Sequence, residues 1–431
     1  MRYAPIDPSL FVNNRKRLVS ALKPNALVVL NSNDTMPTSA DGTMPFKQNS
    51  DIFYLTGINQ EESILVLCPG FRDPAKREIL FLREPNEHLE KWHGHKHTKA
   101  EASSISGVKT VMWLSEFESM FHHMMVMAGA EHVYLNTNEH YRAEVVVQTR
   151  DARFVDWCKM KYPLHTYQRV APIMAALRTV KQPQEIKLIQ RACDITEKAF
   201  RRILDFMKPG VMEYEVEAEY AHEFIRNGSR GHAYTPIVAS GKNNIILHYI
   251  DNNQKCVKGD LLLLDAGAEY ANYNADLTRT IPVNGRFSKR QKQVYNAVLR
   301  VQRKAIGMMS SGMVYFDYHR EVEKIMESEL IGLKLISKAD VKKQRPGQEA
   351  FRKYYYHGTS HMLGLDVHDL GNMHAKMAVG SVWTVEPGIY IKEEGFGVRL
   401  ENNVLIKKNG TDDLMKNIPI EADEIESLMN G

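Results

Sequence analysis

The chain contains 431 residues, of which 43% are hydrophobic and 25% are charged. This length and composition exclude global disorder and predict two or three globular domains. The 56 lysine and arginine residues exceed the 52 aspartate and glutamate residues by only four. That excess is too small to indicate binding to nucleic acid or to an anionic membrane surface.

The ends and the cysteines of the sequence bear on its location. No apolar run approaches the roughly 20 residues of a membrane span. The N-terminus, MRYAPIDPSLFVNNRKRLVSAL, has no continuous apolar stretch of the signal-peptide type. The four cysteines show no C-x-x-C spacing, which argues against a disulfide framework or a thiolate zinc site. We therefore expect a soluble, cytoplasmic protein.

The first half of the chain has the pattern of a mixed α/β domain. Short apolar runs at Ala26 to Leu30, Ser63 to Leu67 and Glu78 to Phe81 predict buried strands. A helix is expected around Glu116 to Met127. The segment from Lys159 to Arg178 has no sharp pattern, and we expect the domain boundary near residue 170.

Longer helices and short strands alternate in the second half, which predicts an α+β fold with helices outside a curved sheet. Pro183 is placed to begin a helix that Pro209-Gly210 ends, and a second helix is expected from Glu213 to Arg226. The four-leucine run Leu261 to Leu264 predicts a buried strand. Further strands are expected at Val382 to Val385 and Val404 to Ile406, with helices at Lys289 to Met309 and Phe316 to Leu330.

Two aspartates lie close together in this half of the chain. Asp265 follows the four-leucine strand, and Asp276 comes eleven residues later. A turn through residues 269–274 would fold the two segments into a hairpin and make the two acids neighbours across the ladder. Neighbouring carboxylates repel each other unless a cation lies between them. Alternatively, each aspartate is an ordinary turn or cap residue.

Three histidines occur within twelve residues of HGTSHMLGLDVHD. They are His357, His361 and His368. The first two share a face if the segment is helical, because they are four residues apart. A single histidine is usually a hydrogen-bonded structural residue, but three among glycines and apolar residues favour a site.

Two glutamates complete the candidate set. Glu386 follows the apolar run VWTV and precedes Pro387-Gly388, where its burial without a partner is unfavourable. In GFGVRLENNVLI, alternation places Arg399 and Glu401 on the same face. The alternative for Glu401 is a solvent-facing residue paired with Arg399.

The five candidate ligands are Asp265, Asp276, His361, Glu386 and Glu401. Their charges sum to −4 with a neutral histidine, which two divalent ions balance and one does not. Oxygen ligands with one imidazole suit a hard ion such as Mn²⁺. Two such ions can hold a bridging hydroxide and polarise a carbonyl, so these residues indicate a hydrolase.

The same motifs, in the same order, resemble the metallopeptidases of the pita-bread fold, and in particular the aminopeptidase P family. The segment TSADGTMPFKQNSDIFYLTG, residues 38–57, is similar to that family's N-terminal domain. The resemblance implies a smaller mixed α/β domain at residues 1–170 and a pita-bread catalytic domain at residues 171–431. It also implies a homo-oligomer, a dimer or a tetramer.

The resemblance implies a dinuclear centre, usually with Mn²⁺, although Co²⁺ and Zn²⁺ are alternatives. Asp265 would bind one ion, Asp276 and Glu401 would bridge both, and His361 and Glu386 would hold the other. Glu386 would also carry the proton of the attacking water to the leaving nitrogen.

The resemblance also assigns residues that contact the substrate. His248 and His368 would stabilise the tetrahedral intermediate, and His357 would lie near the proline. Tyr390 and Arg399 match positions near the centre, and Asp41 and Trp92 match positions that reach a neighbouring subunit's active site.

The implied activity is removal of the N-terminal residue from peptides with proline in the second position. An Xaa-Pro dipeptidase is the main alternative, because it shares all five ligands. A non-catalytic peptide-binding protein of the same fold and a metal-free, creatinase-like hydrolase are disfavoured, since all five ligand types are intact. The loops at 369–383 and 391–397 are shorter than in the bacterial family pattern. The arginine that the pattern has in the first loop is absent, and Lys376 is the basic residue there.

A histidine-rich stretch near Trp92, KWHGHKHTK, contains His93, His95 and His97 in alternation. A metal site is conceivable there. We interpret the stretch as an exposed loop, because no carboxylate or cysteine accompanies it at ligand spacing.

Overall fold

The computed structural model describes residues 2–431 and divides the chain into two compact units. The N-terminal unit comprises residues 4–178, and the C-terminal unit comprises residues 179–431 together with Arg2 and Tyr3. Within the described residues, none of the helices is long and apolar enough to cross a membrane.

A six-stranded mixed sheet in the order β4-β3-β2-β1-β5-β6 forms the centre of the N-terminal unit. Its strands are β1 (Ala26–Asn31), β2 (Ile64–Leu67), β3 (Glu78–Leu82), β4 (Thr110–Trp113), β5 (His132–Leu135) and β6 (Thr166–Arg169). The three apolar runs of the sequence form β1, β2 and β3, so these predictions are confirmed. They are adjacent and almost entirely buried, which explains their continuous hydrophobicity.

Seven helices belong to this unit or end at its boundary. They are α1 (Ser9–Ser20), α2 (Ser50–Thr56), α3 (Glu87–His93), α4 (Lys99–Ser106), α5 (Phe117–Met127), α6 (Arg150–Lys161) and α7 (Ala171–Thr179). Helix α5 confirms the helix expected there, and its Phe117 and Phe121 are buried in the core beneath the sheet. The segment without a clear pattern, 159–178, contains the end of α6, all of β6 and most of α7.

The described part of the C-terminal unit contains six α-helices: α8 (Pro183–Phe206), α9 (Glu213–Arg226), α10 (Lys289–Met308), α11 (Tyr315–Gly332), α12 (Lys338–Lys343) and α13 (Ala422–Asn430). Helix α8 begins at Pro183, whose missing N–H and fixed φ suit the first helical position. It ends at Phe206, shortly before Pro209-Gly210, and α9 has the bounds expected from the sequence.

Ten short strands, all antiparallel to their partners, form the sheets of this unit. They are β7 (Ile237–Ser240), β8 (Leu261–Asp265), β9 (Glu269–Tyr270), β10 (Tyr273–Asn274), β11 (Thr278–Pro282), β12 (Val382–Val385), β13 (Gly388–Ile391), β14 (Phe396–Arg399), β15 (Asn402–Ile406) and β16 (Thr411–Asp413). Strand β14 contacts both β8 and β11, while α8 packs on α9 and α10 packs on α11. The predicted α+β class is confirmed.

The first turn of α8 contains a buried carboxyl that should make stability depend on pH. Burial raises the pKa of Glu185 to about 7, although the backbone N–H of Gln182 donates to Glu185 Oε2 at 2.8 Å. A raised pKa means that the folded chain holds a proton that the unfolded chain has lost, so stability falls as pH rises from about 4.5 to 7. At roughly 1.4 kcal/mol per pKa unit, the loss is at most about 3.5 kcal/mol.

Glu185→Gln should remove much of this pH dependence, because glutamine does not titrate. Glutamine also keeps the capping role of this position, so the helix start is preserved. Urea unfolding midpoints at pH 5 and pH 8 measure the effect. The matched control is Glu215→Gln, which changes the exposed capping residue of α9 and should leave the pH dependence unaltered. Equal pH dependence in wild type and Glu185→Gln would contradict the assignment.

Candidate metal centre

Asp265 and Asp276 approach each other at one end of the β8–β11 ladder. Asp265 is the last residue of β8 and pairs with Thr278, the first residue of β11. The small β9–β10 hairpin connects the two strands, so the predicted hairpin is confirmed. The hydroxyl of Tyr234 lies 2.6 Å from Oδ1 of Asp265 and also 2.6 Å from Oδ1 of Asp276. One phenol therefore joins the two carboxylates.

The approach of the two strands requires glycine at position 267. An added Cβ there would lie 1.8 Å from the carbonyl oxygen of Ala275, which is far inside van der Waals contact. Any side chain at Gly267 would push the Ala275 backbone away and move Asp276, the next residue, out of position. This steric requirement explains the glycine that follows Asp265 in the sequence DAG.

His361 lies on an irregular segment rather than on a helix, so the conditional prediction of a shared helical face with His357 is wrong. Backbone bonds hold it against β12: its N–H donates to Thr384 Oγ1 at 3.0 Å, and the Thr384 N–H donates to its carbonyl at 2.9 Å. Nδ1 donates to the Met362 carbonyl at 3.1 Å. This leaves Nε2 facing the carboxylates, where it can bind a metal ion once it has lost its proton, as in metal-binding histidines.

The free nitrogen of His361 lies between two carboxylates. Nε2 is 3.4 Å from Asp276 Oδ2 and 3.5 Å from Glu386 Oε1. Burial opposes a charge on this imidazole, but its hydrogen bond with Asp276 and the charge of Glu386 raise the pKa of His361. Burial and the other acids raise the pKa of Glu386 to about 7.

Glu401 is buried, with 2% of its surface exposed. Its Oε2 accepts a hydrogen bond from Thr278 Oγ1 at 2.7 Å, whereas Oε1 has no partner among residues 2–431. Burial, followed by the charges of Asp276 and Glu386, raises the pKa of Glu401 well above its usual range. The alternative of a solvent-facing Glu401 paired with Arg399 is wrong, because Arg399 contacts Asp265 instead.

These contacts fit divalent cations. Asp276, His361 and Glu401 offer ligand atoms that all lie within 4.8 Å of one another. Separations of 3.4–3.5 Å between His361 and its two carboxylates are close to those of ligands bound at about 2.0–2.2 Å to one ion. The unpartnered Glu401 Oε1 has the acceptor lone pairs that a cation would use, and positive charge would relieve the repulsion among the buried acids.

Arg399, Tyr390 and His357 form a hydrogen-bonded chain beside the carboxylates. Arg399 donates through Nη2 to Asp265 Oδ2 at 2.5 Å and through Nη1 to the Tyr390 hydroxyl at 3.0 Å. That hydroxyl lies 2.8 Å from His357 Nε2, while His357 Nδ1 donates to the Gly358 carbonyl at 2.9 Å. Burial and the charge of Arg399 lower the pKa of His357 to about 3, so the imidazole is neutral.

The remaining two histidines have different neighbours. The His368 ring is 4.4 Å from the His361 ring, centroid to centroid, and perpendicular to it. His248 is exposed between Leu247 and Tyr249, which belong to the same apolar cluster as Tyr390.

Asp41 and Trp92 belong to the N-terminal unit. Asp41 lines a cavity of about 840 Å³ in that unit. Trp92 lies on α3 with 73% of its surface exposed.

Sequence reasoning missed three residues that hold the ligands in place. Tyr234 joins the two aspartates, Thr278 donates to Glu401, and Asn403 Nδ2 donates to the Asp276 carbonyl at 2.7 Å. Tyr234 precedes Asp265 by 31 residues, so no local pattern connects them. Thr278 and Asn403 adjoin candidate ligands in ADLTRT and LENN, which is the only sequence signal for either.

Comparison with known proteins identifies the family. Residues 187–408 match the model of metallopeptidase family M24, and residues 11–134 match that of the aminopeptidase P N-terminal domain. The chain belongs to metallopeptidase family M24. It is 34% identical to the Xaa-Pro aminopeptidase of Escherichia coli, and the alignment covers 97% of each protein.

Solved structures place the chain with aminopeptidase P within family M24. Zinc-substituted E. coli aminopeptidase P in complex with product is 34% identical, with a TM-score of 0.88 over 99% of each chain. E. coli aminopeptidase P with the inhibitor Pro-Leu is 33% identical, with a TM-score of 0.87 over 99% of each chain. The two-domain architecture implied by the sequence motifs is thereby confirmed, and this M24 protein is a metal-dependent hydrolase.

Proposed function

We propose that this M24 enzyme removes the N-terminal residue from peptides with proline in the second position. The observation that carries the proposal is the convergence of the Asp276, His361 and Glu401 ligand atoms within 4.8 Å, with one Glu401 oxygen left unpartnered. This cluster lies in a chain that aligns along 97% of its length with an Xaa-Pro aminopeptidase.

The ligand set proposed for two divalent ions divides among the five side chains. Asp265 would hold one ion, His361 and Glu386 the other, and Asp276 and Glu401 would be shared. Mn²⁺ suits these mainly oxygen donors, with Co²⁺ and Zn²⁺ as alternatives. When bound, the ions would polarise the scissile carbonyl and lower the pKa of water.

Glu386 is proposed as the group that moves the proton. A carboxylate beside the attacking water can accept its proton and later release it to the leaving nitrogen. The Xaa–Pro nitrogen is a tertiary amide without a hydrogen, and it leaves only after it is protonated. Glu386 would deliver that proton.

The histidines and Arg399 would position the substrate. His248 and His368 are proposed to donate hydrogen bonds to the oxyanion of the tetrahedral intermediate. His357 has both ring nitrogens engaged, with Tyr390 and with the Gly358 carbonyl. It would therefore present a fixed wall beside the proline. Arg399 would hold Asp265 and Tyr390 in place through its two hydrogen bonds.

The N-terminal domain, residues 1–170, is proposed to contribute residues to the active site of a neighbouring subunit in a dimer or tetramer. Asp41 and the exposed Trp92 would reach the catalytic domain, residues 171–431, of a neighbouring copy. An exposed tryptophan is the kind of side chain that protein interfaces favour. We propose that the enzyme acts in the cytoplasm.

Activity on a tripeptide separates this proposal from an Xaa-Pro dipeptidase. The purified protein, reconstituted in turn with Mn²⁺, Co²⁺ and Zn²⁺, is assayed on Ala-Pro-Ala, Ala-Pro and Ala-Ala-Ala. We expect release of alanine from Ala-Pro-Ala, fastest with Mn²⁺, and little hydrolysis of Ala-Ala-Ala. Cleavage of Ala-Pro alone would establish the dipeptidase, and absence of both stoichiometric metal and turnover would establish a binding protein.

A further inference from the structure

A second group of metal-ligating side chains lies in the N-terminal unit, between α3 and α4. His95, His97 and Glu101 offer ring nitrogens and a carboxylate oxygen that all lie within 4.8 Å of one another. The interpretation of this stretch from the sequence, as a loop without a carboxylate at ligand spacing, is wrong in one respect. Glu101 follows His97 by four residues, and the start of α4 turns it back toward the histidines.

Contacts of Lys96 and of the His97 backbone fix the segment that carries the two histidines. Lys96, between them, forms an ion pair with Glu61 and is largely buried. The backbone N–H of His97 donates to Gln60 Oε1 at 2.9 Å. Since side chains alternate along an extended segment, Lys96 on one side leaves His95 and His97 on the other.

The two carboxylate oxygens of Glu101 have different partners. It is the third residue of α4, and Oε2 accepts the backbone N–H of Thr98 at 2.8 Å, as part of a capping box. His95 Nε2 lies 3.0 Å from Oε1 and from Oε2. Because the cap uses Oε2, Oε1 is the oxygen that would bind an ion in place of its contact with His95.

The two imidazoles are arranged as they would be around one ion. Their centroids are 6.2 Å apart and their planes are nearly perpendicular, at 87°. The separation of 3.0 Å between His95 Nε2 and Glu101 Oε1 is slightly shorter than the roughly 3.3 Å between neighbouring ligands of a tetrahedral zinc ion bound at about 2.0–2.1 Å, so the pair would open slightly to hold an ion. A hydrogen-bonded His95–Glu101 pair would not need the second imidazole at the same point.

We propose that His95, His97 and Glu101 bind Zn²⁺, with water in the remaining position. Two imidazoles and one carboxylate, with an open position, are a donor set characteristic of zinc. The catalytic cluster, with four carboxylates and one imidazole, favours harder ions, so the two sites differ in metal preference. Bound zinc would join the α3–α4 connection to the first turn of α4.

Counting zinc in matched full-length variants tests the proposal. Wild type and Glu101→Gln are stripped with a chelator, dialysed against limiting free Zn²⁺ at pH 7.5 and analysed by mass spectrometry for bound metal. Glutamine preserves the capping box of α4 but has no carboxylate. Because the catalytic cluster is identical in both proteins, the difference isolates this site. We expect wild type to bind one more equivalent of zinc than Glu101→Gln.

Two single histidine variants complete the design. His95→Ala should bind one equivalent of zinc fewer than wild type. The variant should fold normally, because 58% of the His95 side chain is exposed. His93→Ala changes the third histidine of the same stretch, which lies outside the cluster, and should bind as much zinc as wild type. Equal zinc content in wild type, Glu101→Gln and His95→Ala would overturn the proposal and leave a hydrogen-bonded surface pair.

Discussion

Replacing Asp276 with alanine should abolish both metal binding and peptidase activity. In the proposed centre Asp276 is shared by both ions, and its Oδ2 is one of the two carboxylate oxygens near His361 Nε2. Without it, three acids and one histidine remain, with the Tyr234 hydroxyl bonded to Asp265 alone. We expect a loss of kcat/KM of at least about 10³-fold, which is about 4 kcal/mol of transition-state stabilisation. Bound Mn²⁺ should fall below one equivalent.

Metal content and hydrolysis of Ala-Pro-Ala are measured on the same preparations. Asp251→Ala is the control, because it removes an exposed carboxylate of the same unit and should alter neither quantity. Substantial turnover by folded Asp276→Ala would contradict the proposed mechanism. Circular dichroism distinguishes loss of activity from unfolding, because the spectrum of folded Asp276→Ala should match that of wild type.

The second large effect is expected from two histidines that are proposed to contact the substrate rather than the metal. His368→Ala and His248→Ala should each lower kcat by roughly 10²- to 10³-fold, the usual effect of losing one oxyanion donor. Their metal content should stay close to that of wild type. The His368 ring packs edge-on against the His361 ring, with 4.4 Å between centroids. The metal content of His368→Ala therefore shows whether this neighbour of a ligand is itself a ligand.

His374→Ala serves as the matched control for both variants. His374 is exposed and packs on Phe316, in the same unit, and its loss should leave kcat and metal content unaltered. If His368→Ala or His248→Ala instead lost an equivalent of metal, that histidine would belong to the ligand set. If kcat were unaffected with metal retained, it would have no part in stabilising the intermediate.

The elements that could be predicted from sequence are those whose signals are local. Strands β1 and β8 are continuous apolar runs because both faces of each are buried. Helix α8 begins at a proline, and α9 lies between two glycine turns. Such signals depend on neighbouring residues only, so they are visible without knowledge of the packing.

The errors occurred where a distant part of the chain decides the conformation. His357 and His361 have helical spacing, but backbone bonds to β12 hold His361 in an extended loop. Alternation predicts a shared face for Arg399 and Glu401, but β14 ends at Arg399, and the arginine pairs with Asp265, more than 130 residues earlier. Glu101 was overlooked because the first turn of α4 folds it back toward His95.

By itself, the sequence determined the kinds of donor available and the strand ends that carry them. Carboxylates directly after buried apolar runs are unfavourable without a partner, and that physical conflict is readable in the sequence. Only the tertiary structure decided how the conflict is resolved. It brings Tyr234, Thr278 and Asn403 to hold three carboxylates, and it leaves one oxygen of Glu401 unpartnered. Those contacts join segments far apart in the chain, so their geometry depends on strand register and helix packing, which no local pattern encodes.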